Sequence, residues 1–322
     1  MGSFDYPSPS SNDEIHKPTP VGSPAVQEPD SEQTLVSVSR AFHPRAQLDP
    51  LEPDVIIVTN DEVFFYVHHH VLVSASQNNF NFHLPDNLDH AVPLPFILPL
   101  PEHSNEVNIV LHTMYHLSCN HYAPTFETLL SALGILRKYG IALSLYTSHF
   151  ATPLFGLLLS HAPAHPLEIY AIAAENRLEE LAVAVSPFLL SFQFSSLTDE
   201  MAIRLGALYM KRLWTLQHNR LAVLRQLILA LPYMHPVDAE SSCDQGAVIK
   251  AWAQAVEELA WEARPDLTCN AIQVAFMCPG FQFPCSLCKD LWNARVQEIV
   301  TEWSLTKKDS RQLVLRECKI GP

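Results

Sequence analysis

Residues 53–80 read PDVIIVTNDEVFFYVHHHVLVSASQNNF, and this stretch decides the fold. Val55 to Val58 is a run of β-branched residues, which favour the pleated backbone, so it predicts a strand. Thr59-Asn60-Asp61-Glu62 predicts a turn, because Asn and Asp tolerate left-handed backbone. Val63 to Val67 is then the return strand. If 58 faces 64 across an antiparallel hairpin, Asp54 lies opposite His68. The carboxylate is expected to accept a hydrogen bond from the imidazole. From Val71 the apolar period lengthens, and Leu72, Ala75 and Phe80 predict one face of a short helix.

Outward from this hairpin the chain turns helical. Residues 81–95 read as a loop, and residues 95–100 (PFILPL) as a third strand that its prolines keep short or at an edge. Helices are expected at 106–116, 125–139 and 143–150. In the second, Phe126, Leu129, Leu130, Leu133, Leu136 and Tyr139 recur at three- and four-residue steps, and Gly140 supplies the stop. The oily side of the hairpin is expected to lie on this helix. Pro166 can open the next helix at its first position, followed by Tyr170, Ala174 and Leu178. Later helices are expected at 198–215, 217–231, 247–263 and 288–305, with no strand in the second half. Trp252, Trp261, Trp292 and Trp303 fall among these helices and are expected in the core. Upstream, residues 1–50 hold eight prolines and eight serines and read as a disordered leader, because they bury too little apolar surface to offset ordering.

The fold class is therefore α+β: a small sheet with a helical cluster, followed by an all-α C-terminal domain. The expected division is a leader over 1–50, a first domain over 51–160 and a helical domain over 161–322. With 322 residues, 48% of them apolar, a sizeable core is available. The 17% of charged residues is below the roughly 25% of an average chain, which leaves apolar surface for a partner. A formal net charge of −14 opposes broad attraction to phosphate, so no nucleic-acid binding is expected. The uncharged stretches 141–167 and 181–198 are interrupted by proline and carry serine or histidine, so they read as buried helices and not as membrane spans. No export signal is visible at the N-terminus. With that, the odd count of seven cysteines predicts reduced thiols in the cytoplasm or nucleus.

Catalytic motifs are absent from the sequence: no Gly-x-Ser-x-Gly, P-loop, Gly-x-Gly-x-x-Gly or His-Glu-x-x-His occurs. Nine glycines in the whole chain are few for phosphate-binding loops. No enzyme and no cofactor are expected. His68-His69-His70 invites a metal reading, but no acidic or cysteine partner lies near it at ligand spacing, so structural histidines are expected. Cys285-Ser-Leu-Cys288 is a sharper signal. With Cys269 and Cys278 upstream, four thiolates are candidates for a zinc ion, but the spacings fit no common knuckle and plain burial is the expectation.

Taken together, Asp54-Val55-Ile56-Ile57, Phe65-x-Val67-His68, Leu72, Ser76 and the Lys138-Tyr139-Gly140-Ile141 end of LLSALGILRKYGI resemble the pattern of a BTB/POZ domain. Residues 166–182, PLEIYAIAAENRLEELA, with Tyr170, resemble the helix that follows this domain in fungal BTB proteins. The likeness covers roughly residues 50–190. Glu62 stands where the family commonly has glycine, and Phe80 falls one residue later than the usual aromatic. The resemblance implies a non-enzymatic protein-protein interaction module without a cofactor. It further implies a homodimer through the first strand and first helix, and an adaptor or scaffold role such as docking to a cullin-type ligase. The alternative is a transcriptional regulator whose Cys-rich C-terminal region binds zinc.

Overall fold

A computed structural model describes residues 37–85, 95–236, 243–277 and 281–311. The hairpin forms as its composition requires. Strands β2 (Val55–Val58) and β3 (Val63–Val67) pair antiparallel, with Val55 opposite Val67 and Val58 opposite Phe64. Two further strands flank them. β1 (Ser37–Val38) runs parallel to β3, and β4 (Phe96–Pro99) runs parallel to β2, so the sheet order is β1-β3-β2-β4. The leader expected over 1–50 is thus corrected at its end. The chain pairs from Ser37 onward, and Phe42 is fully buried against Phe65 and Tyr115. Two strand residues and one aromatic anchor outweigh the Pro- and Ser-rich composition around them.

The turn also differs in detail. Its left-handed residue is Glu62, at φ 59°, and neither Asn60 nor Asp61 has positive φ. The Glu62 N–H closes the turn on the Thr59 carbonyl at 2.9 Å. β4 is an outer strand among those described, and its prolines explain how it pairs. Phe96 N–H donates to the Asp54 carbonyl and Leu100 N–H to Val58. Positions 95, 97 and 99 therefore point their nitrogens away from the sheet, and prolines at 95 and 99 cost no ladder bond.

Seven residues of helix follow the hairpin as α1 (His69–Ala75), then one turn, α2 (Asn79–Phe82). The single helix expected to reach Phe80 does not exist. α1 stops at Ala75, and Asn79 to Phe82 all have φ between 50° and 63°, a left-handed turn. Two helices form the next layer, α3 (Ser104–Met114) and α4 (Phe126–Lys138), packed on each other. Thr125 caps α4 by accepting from the Thr128 N–H. Short helices α5 (Leu143–Tyr146), α6 (Pro153–His161), α7 (Pro166–Glu175) and α8 (Glu179–Val185) complete the first half.

Beyond them runs α9 (Asp199–Leu229), broken at Gly206, where φ 66° and ψ 165° leave helical geometry. The two helices expected at 198–215 and 217–231 are thus one element, interrupted ten residues earlier than the sequence suggested. α10 (Gln245–Trp261), α11 (Cys269–Ala275) and α12 (Ser286–Leu305) finish the described chain. The described residues confirm a mixed fold with a small sheet.

Two hydrophobic cores result, and they do not divide at residue 160. The first runs from Phe42 to Leu213 and joins the sheet, α1 and α3 to α8. The second runs from Leu224 to Trp303. α9 contributes to both. At the join, Arg220 donates to the carbonyls of Pro265, Thr306 and Lys307 at 2.7–2.8 Å and lies over the Trp303 ring. Its buried charge is satisfied by backbone oxygens. Trp252, Trp292 and Trp303 are buried in the second core, but Trp261 is 93% exposed at the end of α10. The hairpin and α4 share the first core, although α3 is the main neighbour of α4. No described helix is long and apolar enough to cross a membrane.

Candidate functional site

Asp54 and His68 face each other in the predicted register but do not bond through the imidazole. Asp54 Oδ1 accepts from the backbone N–H of His69 at 2.7 Å. It caps the first turn of α1, whose own preceding residue supplies no side-chain cap. The His68 ring is held elsewhere. Its Nε2–H donates to the Leu51 carbonyl at 3.0 Å, and its Nδ1 accepts from the Tyr115 hydroxyl at 2.8 Å. The carbonyl can only accept, so Nε2 carries a hydrogen. The same hydroxyl accepts the His68 N–H at 2.9 Å, and burial pushes the Tyr115 phenol well above its usual range. His69 and His70 belong to α1, not to a strand. His69 donates to the Pro85 carbonyl at 2.8 Å, while His70 meets Asp49 at 3.2 Å on the surface. The three histidines therefore have separate structural partners.

The other motif residues converge at one knot. Leu72 is fully buried on the inner face of α1. Just past that helix, the Ser76 hydroxyl donates to the Tyr139 carbonyl at 2.7 Å and accepts from the Phe80 N–H at 2.7 Å. Asn78 Nδ2 donates to the Lys138 carbonyl at 3.0 Å. Phe80 stacks on the Tyr139 ring, with centroids 4.2 Å apart and planes at 9°. This stack requires the left-handed turn, which swings Phe80 back over Tyr139. The Tyr139 hydroxyl donates to Glu102 at 2.7 Å, and Lys138 pairs with the same carboxylate. Burial, with the Glu102 charge beside it, drives the Tyr139 phenol far up. Gly140 ends the knot at φ +68°, and a Cβ there would sit 2.7 Å from Asn78 Cγ and 3.0 Å from its backbone nitrogen. Tyr170 is buried in α7 and donates to the Tyr209 carbonyl at 3.2 Å, which docks α7 on α9.

Beside the second core four side chains meet that are scattered in sequence. His235, Cys243, Cys285 and Cys288 bring one ligand atom each within 4.8 Å of one another. His235 Nε2 lies 3.5 Å from Cys243 Sγ, 3.2 Å from Cys285 Sγ and 3.3 Å from Cys288 Sγ. Cys243 Sγ lies 3.6 Å from Cys285 Sγ and 3.4 Å from Cys288 Sγ. Cys285 is the N-cap of α12, and its sulfur accepts the Cys288 N–H at 3.3 Å. That bond favours the thiolate, and the Cys285 thiol falls from 9.0 to about 7. Burial pushes Cys243 and Cys288 the other way.

The thiol set expected from sequence is corrected. Cys269 lies apart, directed at the Val300 carbonyl at 3.9 Å, and Cys278 lies outside the described residues. The sequence offered Cys285-x-x-Cys288 at once, but its partners lie 42 and 50 residues upstream, joined only by tertiary packing. The available signal was Cys243 directly before Asp244, the N-cap of α10, with His235 before a proline. The five described cysteines are free thiols. The chain matches no protein-family model, no curated protein and no solved structure.

Proposed function

We propose that the protein is a non-enzymatic, BTB-type interaction module that self-associates and acts as an adaptor or scaffold for protein partners in the cytoplasm or nucleus. The observation that carries this reading is the knot at Ser76 and Tyr139. The residues that prompted the family resemblance there join the end of α1 to the end of α4, and the hairpin and α3 share their core.

The sheet edge at β4 is a poor surface for adding a strand, because Pro99 occupies an outward position and Ile97 is the one outward amide of the strand. The outer side of α1 is the better candidate. His70 and Ser74 are exposed there, with Val71 and Val73 half-buried beside them. Light scattering on the full chain at micromolar concentration is expected to give the mass of two chains. A mass of one chain throughout that range contradicts self-association.

A further inference from the structure

The Cys/His cluster lies outside the elements that carry the interaction reading, and its geometry has its own explanation. Ligands on one tetrahedral zinc, at about 2.3 Å for sulfur and about 2.0–2.1 Å for imidazole nitrogen, lie roughly 3.5–3.8 Å from each other. The five distances between His235 Nε2 and the sulfurs, and between Cys243 Sγ and its two sulfur neighbours, run from 3.2 to 3.6 Å. The second shell fits as well. His235 Nδ1–H donates to the Pro236 carbonyl at 2.8 Å, so Nδ1 carries a hydrogen and Nε2 is the ring atom that faces the sulfurs. Gln245 holds the His235 backbone carbonyl at 2.6 Å, fixing His235 to the start of α10.

From this geometry we infer that His235, Cys243, Cys285 and Cys288 bind one structural zinc ion. Binding Zn²⁺ removes the three thiol protons to solvent and leaves His235 neutral, giving a site of single negative charge with no redox change. All four positions are filled by protein, so the site is closed and structural, without the open position a catalytic zinc needs. It ties the segment after α9, the start of α10 and the start of α12 around the second core.

Elemental analysis of the full chain, purified without added zinc or chelator, is expected to give close to one zinc per chain. Cys243→Ser, Cys285→Ser and His235→Ala each remove most of it, while Cys269→Ser retains it. Less than half an equivalent in the wild type, or mass spectrometry showing two of the three cysteines oxidised to a disulfide in the freshly purified protein, overturns the assignment. A second readout does not depend on variants that fold poorly. Stripped wild-type protein titrated with Co²⁺ should saturate at one equivalent, with the thiolate charge-transfer absorption and d–d bands of a tetrahedral sulfur site. Saturation without those bands also overturns it.

Discussion

At the scale of single residues, the turn between β2 and β3 holds a strained position. Glu62 adopts φ 59°, a conformation costing a non-glycine residue roughly 1–2 kcal/mol. Glycine relieves that cost but loses more entropy on folding, about 0.5–1 kcal/mol. Glu62→Gly should therefore raise stability by about 0.5–1 kcal/mol, read as a higher denaturation midpoint with unchanged slope. The sequence showed the turn but misplaced its left-handed residue, because Asn60 and Asp61 are the residues that usually accept that geometry. It likewise concealed the left-handed turn at Asn79 to Phe82. No glycine marks that turn, and the stack of Phe80 on Tyr139 is a contact across 59 residues.

At the scale of elements, the joint between α1 and α4 is centred on the Ser76 hydroxyl, beside the Asn78 bond to Lys138 and the Phe80–Tyr139 stack. Replacing Ser76 by alanine leaves the Phe80 N–H and the Tyr139 carbonyl without that partner, each at about 1–3 kcal/mol for a buried group. Ser76→Ala is expected to cost about 2–4 kcal/mol in chemical denaturation, and a loss below about 0.5 kcal/mol would show the joint to be incidental. Helix α3 adds a pH dependence. Burial lowers the His112 pKa below 6.5, opposed by its bond to the Asn108 carbonyl, and His161 on α6 is lowered by burial and by His165. The fold keeps these rings neutral, while the unfolded chain protonates them near 6.5. Protons thus bind preferentially to the unfolded state, and stability falls as pH drops from about 6.5 toward the depressed folded values. Thermal melts between pH 7 and pH 5 should show this loss, and His112→Leu should reduce its slope.

The elements most legible in the sequence were those with local signals. The β-branched runs gave β2 and β3, the outward prolines gave β4 as an edge, and the three- and four-residue steps gave α4. Elements fixed by distant partners were not legible. β1 is two residues long and exists by pairing with β3. The break in α9 sits at Gly206 within an uninterrupted helical pattern.

At the scale of the whole molecule, two cores share one long helix. The first carries the proposed interaction surface, and the second carries the thiol and imidazole cluster beyond Arg220. Half of that cluster was visible as Cys285 and Cys288. The rest was hidden, because Cys243 and His235 reach the cluster from farther upstream than Cys269, which is directed at Val300 on α12 instead. Division of labour between the cores predicts that metal loss unsettles the second core and leaves self-association to the first.

Self-association through the outer side of α1 is the claim on which the account turns, and Ser74 is its clearest probe because the side chain is exposed. The decisive measurement is sedimentation equilibrium of the full-length wild type beside Ser74→Glu, at matched concentration and with thermal melts of both. A dimeric wild type, and a variant that associates at least about tenfold more weakly, near 1.4 kcal/mol, at an unchanged monomer fold is the predicted result. Equal association constants for the two proteins, or a wild type that stays a single chain, would contradict it.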